Sequence, residues 1–193
     1  MKTGLFFGSF NPVHIGHLII ADYMANFTGL DRVFFVVSPQ NPFKTRESMA
    51  KDNDRLYLVK LAVESNPRLD VSDIEFSMPR PSYTIDTLTY LTEKYPSDNF
   101  TLIMGEDNLL SLHKWKNYEQ ILENYTIHVY PRLDSNKKNS DLKQHPSVRF
   151  FNDMPILYIS ATEIRKRIKN GDSVRYLLPE TVMDEIDRSG MYR

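Results

Sequence analysis

Leu5-Phe6-Phe7-Gly8-Ser9-Phe10-Asn11-Pro12-Val13-His14-Ile15-Gly16-His17-Leu18 is the stretch whose reading decides the fold. It opens as a short apolar run, breaks at Gly8 and turns at Asn11-Pro12. From about Ile15 it resumes with Ile15, Leu18, Ile19 and Tyr23 at helical spacing. A strand, a glycine turn and a helix start in that order form the opening unit of a nucleotide-binding α/β sheet. Unbonded N–H groups at such a helix start favour negative charge, so a phosphate can sit there. His14 and His17 are three apart and share one face of the first turn. Gly16 between them leaves room for a ligand to approach the backbone. The other phosphate loops do not fit, since neither G-x-G-x-x-G nor G-x-x-x-x-G-K followed by Ser or Thr occurs. A metal site is the rival reading of the histidines. The chain has no Cys and no H-E-x-x-H, so no metal-binding side chains are expected.

Composition sets the outer bounds. A chain of 193 residues suffices for one compact domain with a substantial core. Lys and Arg number 24 against 25 Asp and Glu, a net charge of −1, which argues against a general nucleic-acid binder. The absence of Cys excludes a disulfide framework and suits a reducing compartment. Met1-Lys2-Thr3 leads straight into the first strand, leaving no room for a signal peptide. No apolar run approaches the length of a membrane span. The expectation is a soluble, cytoplasmic, single-domain protein that engages neither nucleic acid nor membrane.

Strands and helices alternate along the rest of the chain. Val33 to Val37 is a continuous apolar run of the kind buried on both faces of a parallel sheet, and it ends in the loop Ser38 to Lys44. Asp52 or Asn53 can cap a helix carrying Leu56, Val59, Leu61, Ala62 and Val63. Leu69-Asp70-Val71 reads as a short strand, and Met78-Pro79-Arg80-Pro81-Ser82 as loop. Thr84 starts a helix with Ile85, Leu88 and Leu91 on one stripe, stopped at Tyr95-Pro96. Phe100 to Met104 is a buried strand ending in Gly105-Glu106-Asp107. Two helical segments, with Leu109, Leu110 and Leu112 and then Tyr118, Ile121 and Leu122, flank Trp115. Tyr125 to Tyr130 is the next strand. Asp134 to Pro146 is almost wholly polar and is expected to be a mobile surface loop. Val148 to Phe151 and Ile156 to Ile159 are two further strand candidates. Ser160-Ala161-Thr162-Glu163 is a capping box opening a helix that turns Ile164 and Ile168 inward and is closed by Gly171. Pro179 begins the final helix. The pattern predicts an α/β fold: a doubly wound, Rossmann-like parallel sheet with right-handed crossovers. The single domain, 1–193, would comprise a Rossmann-like core over 1–158 and a C-terminal helical part, 159–193, packed on the sheet edge.

Gly8-Ser-Phe-Asn-Pro-Val-His-Ile-Gly-His-Leu18 resembles the H-x-G-H signature of nucleotidyltransferases that join ATP to a phosphorylated small molecule. Four further stretches narrow the resemblance to the nicotinate mononucleotide adenylyltransferases. They are Asn41-Pro42-Phe43-Lys44, Ser82-Tyr83-Thr84-Ile85-Asp86-Thr87-Leu88, Gly105-Glu106-Asp107 with Trp115, and Ile159-Ser160-Ala161-Thr162-Glu163-Ile164-Arg165. Phosphopantetheine adenylyltransferases share H-x-G-H and a similar late element, but usually lack the second and third of these. The chain departs from the family in three places. It has Phe7-Gly8 and Phe10-Asn11-Pro12 where two glycines and Phe-Asp-Pro are usual. Phe43 replaces a common histidine before Lys44. Glu106 stands where a small residue is common.

The resemblance implies attack by a mononucleotide phosphate oxygen on the α-phosphorus of ATP, with release of pyrophosphate. His14, His17, Lys44 and Arg165 are the implied catalytic residues. ATP would further meet Gly8, Ser9, Phe10 and Gly16 at the first turn, Gly105 and Asp107 at the ribose, and Ile159, Ser160 and Thr162 at the late helix start. Nicotinate mononucleotide would meet Ser9, Lys44, Tyr83, Thr84, Trp115, Lys116 and Arg132, with Trp115 stacking on the pyridine ring and the helix start near Thr84 facing the carboxylate. Mg²⁺ is expected between the phosphates, held mainly by them and by water. The protein would act as a monomer or homodimer. The alternatives are another H-x-G-H adenylyltransferase, acting on nicotinamide mononucleotide or phosphopantetheine, and a non-catalytic nucleotide-sensing module.

Overall fold

The computed structural model describes residues 1–39, 49–132, 141–155 and 157–193. Six described strands form one sheet: β1 (Lys2–Gly8), β2 (Arg32–Val37), β3 (Leu69–Ser72), β4 (Asn99–Gly105), β5 (Thr126–Tyr130) and β6 (Val148–Phe150). Their order is β3-β2-β1-β4-β5-β6, and every pairing is parallel. The winding reverses between β1 and β4, so the carboxyl ends of these two strands open a crevice where such sheets bind ligands.

The strands are apolar run after apolar run because both faces are covered. Successive residues point to opposite faces, so Phe6, Val33, Phe35 and Ile103 fall in one buried cluster while Leu5, Phe34, Leu102 and Met104 fall in the other. The first cluster is covered by α1 (Ile15–Phe27) and α2 (Asp52–Val63), the second by α3 (Thr84–Lys94), α4 (Glu106–Ser111) and α5 (Tyr118–Asn124). The C-terminal helices are α6 (Ala161–Asn170) and α7 (Glu180–Ser189), and α7 packs against α2. Ile164, Val182 and Ile186 join the cluster beneath α1 and α2, and the N–H of Ile15, at the start of α1, donates to the Leu177 carbonyl at 3.0 Å.

Several local expectations shift. Residues 157–159 form no strand. β6 closes the far edge of the sheet, and the chain then crosses back over the start of α1, where no ladder partner is available. Residue 156 lies outside the described residues, as do 134–140 of the polar stretch. The described end of that stretch is anchored: Asp141–Gln144 makes a 3₁₀ turn, Leu142 packs on the second cluster, and Lys143 Nζ pairs with the buried Glu106 carboxylate at 2.6 Å. Asp52 is the first residue of α2 and does not cap it; its carboxylate binds Arg55 and Arg80 instead. Thr84 likewise lies inside α3, with Tyr83 at the cap position. Half of the late capping box forms. Ser160 Oγ accepts from the Glu163 N–H at 3.2 Å, while the Glu163 carboxylate turns to Arg167.

Candidate active site

The crevice at the β1/β4 switch point is an open cleft of about 670 Å³. Its floor is the turn between β1 and α1. Gly8 is required there because the Phe10 ring folds back over it: a Cβ on Gly8 would lie 2.7 Å from that ring. Phe10 has φ of 43°, in the left-handed region, which for a non-glycine residue costs on the order of 1–3 kcal/mol. Burial sustains it. The ring packs edge-on against Phe6 and His17, with centroids 5.7 and 5.1 Å away, and the residue is only 2% exposed.

His14 sits at the N-cap of α1 and His17 one turn in. Their rings stack, with centroids 3.6 Å apart and 22° between planes. The His14 N–H donates to His17 Nδ1 at 3.2 Å, so Nδ1 is an acceptor and Nε2 is the donor position of the His17 ring. Burial, then the positive charge of Arg132, lowers the His14 pKa from 6.5 to about 4. His14 is therefore neutral near pH 7. Its Nδ1 is buried without a partner, so Nε2 is the ring atom left to meet a ligand. The space over Gly16 is taken by this imidazole, since a Cβ there would lie 3.1 Å from His14 Nδ1. Gly16 thus makes room for the histidine stack at the cleft wall.

The opposite wall is the start of α6. Ile159, Ser160, Thr162 and Arg165 line the same cleft as the histidines, brought there by the irregular crossing rather than by a central strand. Arg165 Nη1 donates to the Asn11 carbonyl at 2.7 Å and Nη2 to Thr162 Oγ1 at 3.4 Å, so the guanidinium bridges the two helix starts. Asp107, at the start of α4, and Arg132, just past β5, close one end with Nε and Oδ1 3.6 Å apart. Gly105 is buried behind them, and a Cβ there would meet Asp107 Oδ1. Arg132 lies in the cleft beside Asp107.

Ser9 also lines this cleft, whereas Tyr83, Thr84, Trp115 and Lys116 do not. Lys116 Nζ is 2.8 Å from Asp86 Oδ2 and 4.9 Å from the centroid of the Tyr83 ring, making an exposed cluster at the first turn of α3. Thr84 begins that helix, and Trp115 is half-buried against the second apolar cluster. Lys44 lies outside the described residues. Asn11, which the sequence marks as a turn residue and as a departure from the family's usual aspartate, is 4% exposed and its Oδ1 accepts from the Ala50 N–H at 3.1 Å.

Residues 5–167 match the cytidylyltransferase-like family. A relative from Flavobacterium johnsoniae described as "Probable nicotinate-nucleotide adenylyltransferase" is 51% identical over 193 residues, covering all of both chains. One of the same description from Cytophaga hutchinsonii is 54% identical over 186 residues, 96% of this chain and 95% of that protein. Among solved structures, Plasmodium falciparum nicotinic acid mononucleotide adenylyltransferase complexed with NaAD superposes with a TM-score of 0.84 at 19% identity, covering 100% of this chain and 98% of that one. That likeness carries the fold; identity along the whole chain carries the family. The strand order, the stacked H-x-G-H histidines and these relatives agree: the chain belongs to the cytidylyltransferase-like family, among the nicotinate-nucleotide adenylyltransferases.

Proposed function

We infer that this protein transfers the adenylyl group of ATP to nicotinate mononucleotide, giving nicotinate adenine dinucleotide and pyrophosphate in NAD biosynthesis. The observation that carries the reading is the pair of stacked histidines facing Arg165 across one cleft. The acceptor phosphate oxygen is already anionic and needs no activating base. It forms a bond to the α-phosphorus as the bond to the bridging oxygen breaks, and the electron pair leaves with pyrophosphate. Catalysis then rests on alignment and charge stabilisation.

In this reading the neutral rings of His14 and His17 donate from Nε2 to the α-phosphate oxygens. The planar fork of Arg165 reaches the β- and γ-phosphates with the start of α6. Asp107 receives the ribose hydroxyls, and Arg132 adds positive charge at the same end of the cleft. Tyr83, Thr84, Trp115 and Lys116 form the acceptor side, the start of α3 favouring the nicotinate carboxylate. Among the described residues no three His, Asp or Glu side chains gather as a ligand set. Imidazole and guanidinium donors suit an Mg²⁺ that arrives on the ATP phosphates, where it would offset their charge. Among the described residues no helix is long and apolar enough to cross a membrane.

Pyrophosphate release from ATP, measured with nicotinate mononucleotide, nicotinamide mononucleotide and phosphopantetheine in turn, tests the reading. Turnover with the first acceptor well above the other two is expected. No turnover with any acceptor would leave a nucleotide-sensing module.

A further inference from the structure

Arg55, on α2, is completely buried, and nothing in the reaction as described uses it. A buried guanidinium is tolerated only when its donors are satisfied, and here all five are. Nε donates to the Ala50 carbonyl at 3.3 Å. Nη1 donates to the carbonyls of Ser9 and Ser38, the latter at 3.0 Å. Nη2 donates to the Pro39 carbonyl at 3.4 Å and to Asp52 Oδ1 at 2.8 Å. Four of the five acceptors are backbone carbonyls at functional turns: one between β1 and α1, two after β2, one before α2.

The Ser9 carbonyl is the telling acceptor. It belongs to the residue before Phe10, whose backbone is strained, and two before Asn11, whose own carbonyl holds Arg165. The cleft floor is thus gripped on one side by Arg55 and by the Ala50 N–H on Asn11 Oδ1, and on the other by Arg165. Asp52 extends the grip outward. Its second oxygen, Oδ2, lies 3.1 Å from Arg80 Nη1, in the loop that leads through Ser82 into α3. A continuous line of charged and hydrogen-bonded groups therefore runs from the acceptor-side loop through Arg80, Asp52 and Arg55 to the turn beneath the histidines.

We propose that Arg55 is a positioning residue for adenylyl transfer, and that the Arg80–Asp52–Arg55 line couples the acceptor-side loop to the ATP-side turn. The proposal rests on the site assigned above. Arg55 acts through the turn it holds, not on a substrate atom. Its fork is needed because lysine offers three donors from one nitrogen and cannot reach five acceptors spread over three turns. Coupling between two binding events is reciprocal, so the acceptor should tighten ATP binding as much as ATP tightens the acceptor.

The test uses the wild-type protein, Arg55→Lys, Asp52→Asn and Arg80→Gln. It measures Tm, kcat, KM for both substrates, and affinity for a non-hydrolysable ATP analogue with and without nicotinate mononucleotide. Wild type is expected to bind the analogue about fivefold tighter or more with the acceptor present. Asp52→Asn and Arg80→Gln should lose most of that factor and raise KM for the acceptor several-fold. Tm should stay nearly unchanged in Arg80→Gln, whose side chain is exposed, and fall in Asp52→Asn, which removes the charge facing the buried Arg55. Arg55→Lys should lower kcat at least about tenfold. If it does not fold, the other two variants decide. Wild-type coupling and kinetics in both Asp52→Asn and Arg80→Gln would overturn the proposal, as would no coupling in wild type. An inactive wild type would instead overturn the assigned reaction itself.

Discussion

Phe10, Asn11 and His14 are 2%, 4% and 5% exposed. Phe10 and Asn11 are held by residues distant in sequence, Phe35, Ala50 and Arg165, and His14 stacks on His17. On the acceptor side, Tyr83 is 39% exposed and Lys116 43%, and Lys116 is held by Asp86 and the Tyr83 ring. One side of the site is shaped by the core and the other by a helix start at the surface. Buried donors cannot reorient when charge develops, which is what stabilising a transferring phosphoryl group requires. A surface cluster can adjust to its ligand, and its interactions are individually weaker. The contrast teaches where rate and where selectivity should reside.

The largest expected effect is acid lability. If burial shapes the ATP side, its histidine must resist protonation. His14 has a folded pKa of about 4 against 6.5 in the unfolded chain, which corresponds to about 3 kcal/mol. His128 is lowered to about 4 as well, by burial and then by the charge of Arg149. The unfolded state takes up these protons first, so stability is complete above pH 6.5 and falls as pH drops toward 4. Denaturant midpoints at pH 7 and pH 5 should show this loss, and His128→Gln should remove about half of it. A midpoint unchanged between the two pH values would contradict neutral burial.

Next comes His17→Ala, expected to lower kcat roughly a hundredfold, about 3 kcal/mol, with KM for ATP changed far less. An equal effect on KM alone would make His17 a binding group rather than one that acts in the transition state. Arg165→Ala follows, with kcat/KM for ATP at least about tenfold lower, roughly 1.4 kcal/mol. Wild-type kinetics from that variant would show that Arg165 only braces the Asn11 turn.

The smallest effects belong to the exposed side. Trp115→Ala should raise KM for the acceptor several-fold while KM for ATP stays nearly fixed. A large fall in Tm with unchanged acceptor affinity would assign the ring to the core alone. Nicotinate mononucleotide should be preferred over its amide, because helix-start N–H groups favour a carboxylate. Equal kcat/KM for the two would remove the start of α3 from acceptor recognition.

Reading Val33 to Val37 and Phe100 to Met104 as strands buried on both faces succeeds because a continuous apolar run has few other solutions in a chain of alternating helices. The H-x-G-H turn and the Ser160 cap are equally local. Each depends on residues within three or four positions, and each forms where expected. The failed strand at 157–159 shows the limit. Its residues have strand propensity, yet the chain leaves β6 across the start of α1, where no ladder is offered. The pairing of Arg132 with Asp107 was equally out of reach of local reading, since the segment after β5 meets the start of α4 only because β5 pairs with β4 in register.

What the sequence by itself determined is therefore the alternation of strands and helices, the strand–turn–helix that opens the site, and the family to which its motifs point. Only the tertiary structure decided that Gly16 makes room for an imidazole, that His14 is buried and neutral, and that an arginine amid the charged first turn of α2 is the most enclosed cation in the described chain. The physical reason is one of range. Propensity, capping and apolar periodicity act over a few residues. Burial and hydrogen-bond satisfaction of a charged group depend on acceptors brought together from separate turns, here Ser9, Ser38 and Ala50 around Arg55.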